Sequence, residues 1–193
     1  MTNTGIIILA AGNSSRLGRP KQLLPYRGKT LLTHVVTESL AASLRPLVVV
    51  TGAYRAEVEG ALRGWEVTLA YNPDWETGMG SGIVAGLGKA LSVQPDLQGV
   101  IVAVCDQPHL SAGHLLALME KQAVSGNGLI ASGYAETSGT PVLFGRRHFE
   151  ELGRLSGDAG AKQLLNRHPD DVATVPFPTG SIDIDTEEDL AYL

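Results

Sequence analysis

The segment Gly5-Ile-Ile-Ile-Leu-Ala-Ala-Gly-Asn-Ser-Ser-Arg-Leu-Gly-Arg-Pro-Lys21 decides the fold of this chain of 193 residues. Its first seven residues are an unbroken apolar run, which is typical of a strand covered on both faces of a sheet. A loop with two glycines follows directly. In open α/β sheets, ligands bind beyond the carboxyl ends of the strands, so this loop is the first candidate for a binding site.

Apolar runs and segments of helical periodicity alternate along the rest of the chain. We predict helices at residues 30–42, 55–63 and 81–91, one after Ser111 and one from Asp158 to Arg167. Strands are predicted at residues 46–51, 65–71, 99–104, 129–133, 140–144 and 172–177, with an extended piece at 181–185 and a last turn capped by Thr186. This alternation predicts a single α/β domain over residues 1–193, with a three-layer, Rossmann-like and mostly parallel sheet.

The composition argues against several classes of partner. The net charge is −5, from 15 basic and 20 acidic side chains without long runs of one sign, so no nucleic-acid partner is expected. No stretch reaches the roughly 18 apolar residues of a membrane span, and the first residues lack the basic segment of a signal peptide. The single cysteine fits a reducing compartment. We therefore expect a cytoplasmic protein with no membrane partner.

The loop after the first strand combines small residues with two basic side chains. Gly12 and its small neighbours leave backbone N–H groups open to phosphate oxygens, while Arg16 and Lys21 add positive charge. The loop is not a Walker A motif, because five residues separate Gly12 from Gly18, and its glycine spacing differs from the dinucleotide fingerprint. We interpret it as a phosphate-binding loop; the alternative is a flexible connection with two solvated basic residues.

Carboxylates follow two of the predicted extended segments. Asp106 comes directly after the buried run 99–104, so it should emerge at the carboxyl end of that strand. Asp183 and Asp185 alternate along an extended segment and should point to one side. If the two segments meet, their carboxylates supply the oxygen ligands that Mg²⁺ prefers. The alternatives are a capping or turn role for Asp106 and a solvated chain segment for the other two.

The loop also carries a family resemblance. The pattern Leu9-Ala-Ala-Gly-x-Ser-x-Arg-x-Gly-x-x-Lys21 resembles the signature of the nucleotidyltransferases related to molybdenum cofactor cytidylyltransferase, the MobA/MocA-like NTP transferases. Further blocks of the same family follow in order over nearly the whole chain: Gln22-Leu-Leu-Pro25, Gly78-Met-Gly-Ser81, Cys105-Asp-Gln-Pro108, Gly139-Thr-Pro141, Gly157-Asp-Ala-Gly-Ala161 and Asp183-Ile-Asp-Thr186. The resemblance implies the fold of the nucleotide-diphospho-sugar transferases.

The resemblance also implies a role for each block. Arg16, Lys21 and Asp106 are expected to act in catalysis, and Asp106 and Asp185, in preference to Asp183, to bind the metal ion. The residues expected to hold the nucleotide are Leu9, Ala10, Ala11, Gly12, Ser14, Ser15, Arg16, Lys21, Gly78, Gly80 and Ser81. Those expected on the acceptor side are Gln107, Pro108, Gly139, Thr140, Pro141, Gly157, Asp158 and Gly160.

The function implied by the resemblance is the transfer of CMP from CTP to molybdopterin, with Mg²⁺ as cofactor and release of pyrophosphate. The Ala10-Ala11-Gly12 segment matches the cytidylyl pattern better than the Ala-Gly-Gly of the guanylyl relatives. Alternatives are GTP as donor, another phosphorylated acceptor, or a binding module that senses nucleotide without turnover. A molybdoenzyme or its chaperone is a possible protein partner.

The remaining reactive side chains carry weaker expectations. No histidine pair has metal-ligand spacing, and we expect His34, His114, His148 and His168 to be solvated or satisfied by neighbours, whereas His109 lies close to Asp106. We expect Cys105 to be a small buried hydrophobe. Gly86 and Gly88 fall inside a predicted helix, where each costs about 1 kcal/mol relative to alanine. Close packing on the sheet or an earlier helix end would account for them.

Overall fold

The computed structural model describes residues 3–134, 137–157 and 160–193 of the chain. Strands and helices alternate along these residues, as the sequence predicts. In chain order they are β1 (Thr4–Ala10), β2 (Pro25–Tyr26), β3 (Lys29–Thr30), α1 (Leu31–Ala41), β4 (Leu47–Thr51), α2 (Arg55–Ala61), β5 (Thr68–Tyr71), α3 (Met79–Val93), β6 (Gly99–Val104), α4 (Ala112–Ser125), β7 (Leu129–Tyr134), β8 (Thr137–Gly145), α5 (Phe149–Leu152), α6 (Ala161–Arg167) and β9 (Val172–Pro176). Short 3-10 helices lie between several of them.

The central sheet has seven strands in the order β5-β4-β1-β6-β8-β7-β9. Its first four strands are parallel, β8 runs antiparallel to both of its neighbours, and β9 is parallel to β7. The carboxyl ends of β1, β4, β5 and β6 therefore meet at one edge, which we call the carboxyl edge. Because β8 runs the opposite way, its amino-terminal residues reach that same edge, close to the end of β6.

Strand β1 shows why the sheet is covered on both faces. Ile6, Ile7 and Ile8 are all fully buried, and successive side chains of a strand point to opposite faces. Ile6 and Ile8 pack with residues of α1, α2 and α4, and Ile7 packs with residues of α3, α5 and α6. The predicted three-layer α/β architecture with a mostly parallel sheet is confirmed.

Helix α3 lies close against the sheet at one of its glycines. A Cβ atom at position 86 would overlap Cγ2 of Ile7, whereas a Cβ at position 88 would meet nothing within 4 Å. Close packing therefore accounts for Gly86, and Gly88 simply faces outward.

Some predicted boundaries differ from the structure. Helix α3 begins at Met79, two residues before the predicted start, because Gly78 takes the N-cap position with a φ of 116°. Residues 181–185 do not form a strand; a 3-10 helix at Pro178–Ser181 precedes irregular chain. Gly160 holds the N-cap position of α6, and Asp158, the predicted cap, lies outside the described residues. Among the described residues, no helix is both long and apolar enough to span a membrane.

Candidate active site

The loop after β1 is folded around Ser14. This residue has a φ of 50°, and its carbonyl oxygen accepts hydrogen bonds from the N–H groups of Leu17 and Gly18, both at 3.0 Å. Its hydroxyl oxygen accepts a third bond from the backbone N–H of Lys21 at 3.1 Å. These three hydrogen bonds fix the shape of the loop, which is the segment expected to hold nucleotide.

Gln22 fixes the beginning of the same loop. Its Nε2 donates to the carbonyl oxygens of Ala10 at 3.1 Å and Gly12 at 2.8 Å. The side chain is buried, and Oε1 has no hydrogen-bond partner within the described residues. These bonds fix the backbone of Ala10, an expected nucleotide-binding residue, and of Gly12, which lines two cavities.

A shallow cavity of about 260 Å³, the loop cavity, lies over this segment. It is lined by Gly12, Asn13, Ser14, Ser15, Arg16, Lys21 and Asp185. Arg16 is largely exposed, and its Nη1 lies 3.5 Å from Oδ2 of Asp185. The loop cavity therefore combines backbone groups with two cationic side chains, which is a composition suited to phosphate oxygens.

Lys21 lies at the centre of the site. Its Nζ donates to Oδ2 of Asp106 and to Oδ1 of Asp185, each at 2.5 Å. Burial alone would lower the pKa of Lys21, but the Asp106 charge and the hydrogen bonds to both carboxylates outweigh it, so the pKa lies well above its usual range. Lys21 is therefore charged at every working pH. Its two contacts also show that Asp106 and Asp185 lie together, which is the condition for a carboxylate site shared by the two segments.

The segment around Asp185 is anchored beside the end of β6. The N–H of Ile184 donates to the carbonyl oxygen of Asp106 at 3.1 Å, and the Ile184 side chain is fully buried in a small apolar cluster. Oδ2 of Asp189 accepts from the N–H of Asp185 at 3.0 Å and from the N–H of Thr186 at 2.7 Å. Asp189 therefore fixes the backbone at 185–186. The 3-10 helix Glu188–Tyr192 has Glu187 at its N-cap position and no side-chain cap, so the predicted capping by Thr186 is wrong.

Asp183 faces a second cavity, of about 350 Å³, which we call the polar cavity. Asp106 and Asp185 line the same cavity. Burial, together with the charges of Asp106 and Asp185, raises the pKa of Asp183 above its usual value. All three carboxylates therefore surround one space, and the geometry leaves both Asp183 and Asp185 as candidate ligands beside Asp106.

An apolar cavity of about 250 Å³ lies on the other side of Lys21. Leu9, Ala11 and Gly12 form one wall, and Gly78 and Gly82 of the α3 start form another. The remaining lining residues are Lys21, Gln22, Asn72, Trp75, Met79, Val104, Cys105 and Asp106. The cavity is bordered by the loop after β1 and the beginning of α3, as expected for two blocks that share one ligand.

Ser81 and Gly80, expected to bind nucleotide, make hydrogen bonds at the start of α3. The Ser81 hydroxyl accepts a hydrogen bond from Asn72 Nδ2 at 2.9 Å and lies 2.8 Å from the carbonyl oxygen of Gly78, to which it donates. The N–H of Gly80 donates to the carbonyl oxygen of Gly157 at 3.0 Å. Both residues therefore hold the start of α3 in place, and neither lines the apolar cavity.

The expected acceptor residues divide into two groups. Gln107 and Thr140 line the polar cavity, where Gln107 Nε2 donates to the carbonyl oxygens of Thr140 at 3.2 Å and Gly180 at 2.8 Å. Gly139 leaves room for the hydroxyl of Tyr134, which a Cβ at position 139 would overlap. Pro108 and Pro141 are buried behind the cavity wall, and Gly157 and Gly160 lie near the α3 start, at Thr77 and Met79.

Sequence reasoning missed several lining residues. Trp75 and Met79 line the apolar cavity, and Tyr134 lines the polar cavity. Burial raises the pKa of Tyr134, so its hydroxyl stays protonated. Met79 belongs to the block Gly78–Ser81, so the sequence did indicate that it lies at the site. Nothing in the sequence distinguishes Trp75 or Tyr134 from a core aromatic residue.

Neither Cys105 nor His109 has a catalytic role in the expected chemistry. Cys105 is buried, and burial raises the pKa of its thiol to about 12, which confirms the prediction of a small buried hydrophobe. His109 is half-buried and lines none of the three cavities described above.

The donor set around the polar cavity fits a hard divalent cation. It consists of carboxylate oxygens from Asp106, Asp183 and Asp185, and Oδ1 of Asp106 is buried without a hydrogen-bond partner within the described residues. Oxygen ligands of this kind are those that Mg²⁺ and Mn²⁺ prefer. With a cationic loop on one side and an apolar cavity on the other, the arrangement can hold a nucleotide by its phosphates and its base at once.

Comparisons with known proteins agree with this geometry. The model of the MobA-like NTP transferase domain matches residues 6–172. The chain is 32% identical over 200 residues to nicotine blue oxidoreductase from Paenarthrobacter nicotinovorans, which covers 97% of this chain and 94% of that protein. It is 30% identical over 168 residues to purine catabolism protein PucB from Bacillus subtilis, which covers 82% of this chain and 78% of that protein.

A similar solved structure is that of Rv0371c from Mycobacterium tuberculosis H37Rv, with a TM-score of 0.81 and 30% identity over 100% of this chain and 97% of that one. The same protein in complex with manganese has a TM-score of 0.78 and 28% identity over 100% and 98% of the two chains. The likeness thus includes the loop after β1 and the segment with Asp185.

Proposed function

The chain belongs to the MobA-like NTP transferase family and is a nucleotidyltransferase, and from this premise we propose that it transfers CMP from CTP to a phosphorylated acceptor of the molybdopterin type. A phosphate oxygen of the acceptor attacks the α-phosphorus of CTP, the bond between that phosphorus and the bridging oxygen breaks, and pyrophosphate leaves. Little covalent help is needed for this displacement, so alignment and charge neutralisation carry the catalysis.

One observation carries the proposal: Lys21 lines the apolar, polar and loop cavities, and each of its two aspartate partners lines the polar cavity and one of the other two. In the proposed complex, the base and ribose occupy the apolar cavity, and the β- and γ-phosphates occupy the loop cavity. The α-phosphate lies over Lys21 and the acceptor approaches through the polar cavity. The nucleophile and the leaving group are then on opposite sides of the α-phosphorus.

Lys21 and Arg16 supply the positive charge. To reach the α-phosphate, Lys21 Nζ exchanges its carboxylate partners for phosphate oxygens, and it then stabilises the charge that develops as pyrophosphate departs. Arg16, largely exposed and 3.5 Å from Asp185, is free to turn toward the β- and γ-phosphates. The backbone N–H groups of residues 11–15 complete the phosphate site.

Asp106 and Asp185 are the proposed ligands of the Mg²⁺ cofactor, with Asp183 as an additional candidate in the same cavity. A divalent cation there supplies charge neutralisation of the phosphates. The manganese complex of Rv0371c supports a divalent metal in a relative of this chain. The buried, unpartnered Oδ1 of Asp106 supports the choice of this carboxylate as the first ligand.

One feature supports CTP as the donor. The Ala10-Ala11-Gly12 segment that borders the apolar cavity has the cytidylyl pattern rather than the guanylyl one. GTP and other NTPs remain the alternatives that the assay below separates.

The test is a pyrophosphate-release assay with Mg²⁺, each of the four NTPs and molybdopterin as acceptor. Release with CTP and molybdopterin, abolished by EDTA, is the expected result. Release with GTP instead would overturn the choice of base, and release only with another phosphate ester would overturn the acceptor. NTP binding without release under any condition would indicate a nucleotide-sensing module.

Lys21→Met is the informative variant in this assay, and Lys29→Met is its matched control. Both changes remove one lysine charge from the same region of sequence. Lys29 is exposed, its Nζ contacts Thr37 at 3.0 Å, and it lines none of the three cavities. Loss of release in the first variant alone supports the role of Lys21; equal loss in both would contradict it.

The relative named nicotine blue oxidoreductase favours a second candidate function, an oxidoreductase acting on a compound such as nicotine blue. The apolar cavity, with Trp75 and Met79 in its lining, suits such a substrate. The same preparation assayed for oxidation of NADH or NADPH with nicotine blue separates the two candidates. Oxidation without any pyrophosphate release would replace the transferase proposal.

A further inference from the structure

Two histidines and a glutamate come together far from Lys21. One ligand atom from each of His148, Glu151 and His168 lies within 4.8 Å of the others. We propose that these three side chains form a second metal site, for a borderline transition-metal ion such as Zn²⁺, separate from the proposed catalytic cation and independent of the proposed function.

The topology sets this site apart from the active site. His148 ends a 3-10 helix that directly follows β8, and Gly145 at the end of β8 pairs with Gly99 at the start of β6. The cluster therefore lies at the edge of the sheet opposite the carboxyl edge. The two edges are separated by the length of a six-residue strand, roughly 20 Å.

The donor set also differs from that of the active site. Two imidazoles and one carboxylate are typical ligands of Zn²⁺ and its neighbours in the first transition row, whereas Mg²⁺ prefers oxygen ligands alone. His148 is buried, while the side chains of Glu151 and His168 are about one-third exposed, at 38% and 33%. An ion bound here has three protein ligands and a position open to water.

His148 is held as metal-binding histidines usually are. Its Nε2 donates to Oδ2 of Asp171 at 2.7 Å, which leaves the other ring nitrogen with its lone pair. Asp171 is fixed in turn by Arg147 Nε at 2.9 Å and by the N–H of Gly128 at 2.8 Å. Glycine is needed at 128, because a Cβ there would lie 2.6 Å from both Asp171 Oδ2 and His148 Nε2.

Two contacts compete with an ion and keep its affinity moderate. Nε2 of His168 lies 2.9 Å from Oε1 of Glu151, so this pair must exchange its hydrogen bond for the metal. Nη1 of Arg167 lies 3.9 Å from Oε2 of Glu151, and the arginine is half exposed and can turn away.

An ion at this position joins the ends of two helices. Glu151 lies in α5 and His168 is the C-cap residue of α6, so the metal ties the helices of this pair to each other and to the segment after β8. The chain between these helices contacts the active-site region, since the carbonyl oxygen of Gly157 accepts from the N–H of Gly80. The expected role is structural.

The test is calorimetric titration of untagged, EDTA-treated protein with ZnCl₂ at pH 7.5, with Co²⁺ absorption as a spectroscopic signature of the nitrogen ligands. The background is the double variant Asp106→Asn with Asp185→Asn, which removes the proposed catalytic metal ligands. In this background we expect one zinc ion per chain, a raised Tm, and no competition from excess Mg²⁺.

His168→Gln and Glu151→Gln are then added separately, with His109→Gln as the matched control. Each of the first two changes should weaken zinc binding at least tenfold and abolish the rise in Tm, and the control should change neither. Both altered side chains are partly exposed, so far-UV circular dichroism should show a folded chain. Zinc binding that is equally tight in all three variants, or absent from the background, would overturn the proposal.

Discussion

Helix α3 offers a matched pair of glycines that tests how closely this helix lies on the sheet. At position 86 a Cβ atom would overlap Cγ2 of Ile7 and lie 3.0 Å from Cγ2 of Val50, and at position 88 it would meet nothing within 4 Å. Ile7 and Val50 are fully buried on adjacent strands of a close-packed interior, so neither can move aside at low cost.

The opposite signs of the two effects follow from these contacts. Gly88→Ala removes the entropic cost of glycine in a helix and should raise the free energy of unfolding by about 0.5–1 kcal/mol. Gly86→Ala has the same gain, but its overlap with Ile7 falls in the upper part of the overpacking range of about 1–3 kcal/mol. The expected net effect at position 86 is a loss of about 1–2 kcal/mol.

The assay is urea unfolding of both variants and the parent chain, followed by far-UV circular dichroism, with thermal unfolding as a second measure. For a chain of this length, each kcal/mol corresponds to about 2–4 °C in Tm. Gly88→Ala should therefore melt above the parent and Gly86→Ala below it, with unchanged m values. If Gly86→Ala were as stable as Gly88→Ala, the close approach of α3 to Ile7 would be refuted.

Three further predictions concern the site and the core. Asp106→Asn should lower turnover at least about 100-fold while leaving the circular dichroism spectrum unchanged, because it removes a proposed metal ligand; an unfolded variant would instead indicate a capping role. In the absence of nucleotide, Lys21→Met should tighten Mn²⁺ binding about tenfold or more, because the ammonium group no longer competes for Asp106 and Asp185. Electron paramagnetic resonance of free Mn²⁺ measures the affinity. Equal affinity in the variant and the parent chain would count against a site shared by Lys21 and the metal ion. Burial lowers the pKa of His114 from 6.5 to about 4, so below pH 6.5 the unfolded chain takes up a proton that the folded chain does not. The free energy of unfolding should then fall between pH 6.5 and pH 4, by about 3 kcal/mol. Urea titrations at several pH values should show that the free energy of unfolding of His114→Gln depends less on pH than that of the parent chain. An unchanged pH dependence would assign the effect to other groups.

The first half of the fold was predictable because its signals are local. An unbroken apolar run such as Gly5–Ala11 identifies a strand covered on both faces wherever it stands, and the residues after it fix the position of the loop. The Ser111 cap is read in the same way, and its side chain does accept from the N–H of His114. Such features depend on neighbours within a few positions.

The rest depends on contacts between distant parts of the chain. Hydrophobic periodicity and residue propensities do not predict that β8 lies between β6 and β7 and antiparallel to both. This arrangement brings Thr140 and Tyr134 to the carboxyl edge. Nor do these sequence patterns bring His148 and His168 together, since the two residues stand on different segments. The same limit applied to Gly86, whose contact with Ile7 is set by the rotation of α3 on the sheet.

The backbone hydrogen bond between Ile184 and Asp106 has a consequence for the biosynthesis of the chain. The loop, Lys21 and Asp106 are all synthesised well before Asp185, and strands β1, β4 and β6 can pair while later residues are still being added. During that interval Lys21 has one carboxylate partner instead of two. A chain released after residue 180 should therefore have a folded sheet and no nucleotidyl transfer, because Asp185 is absent from its site.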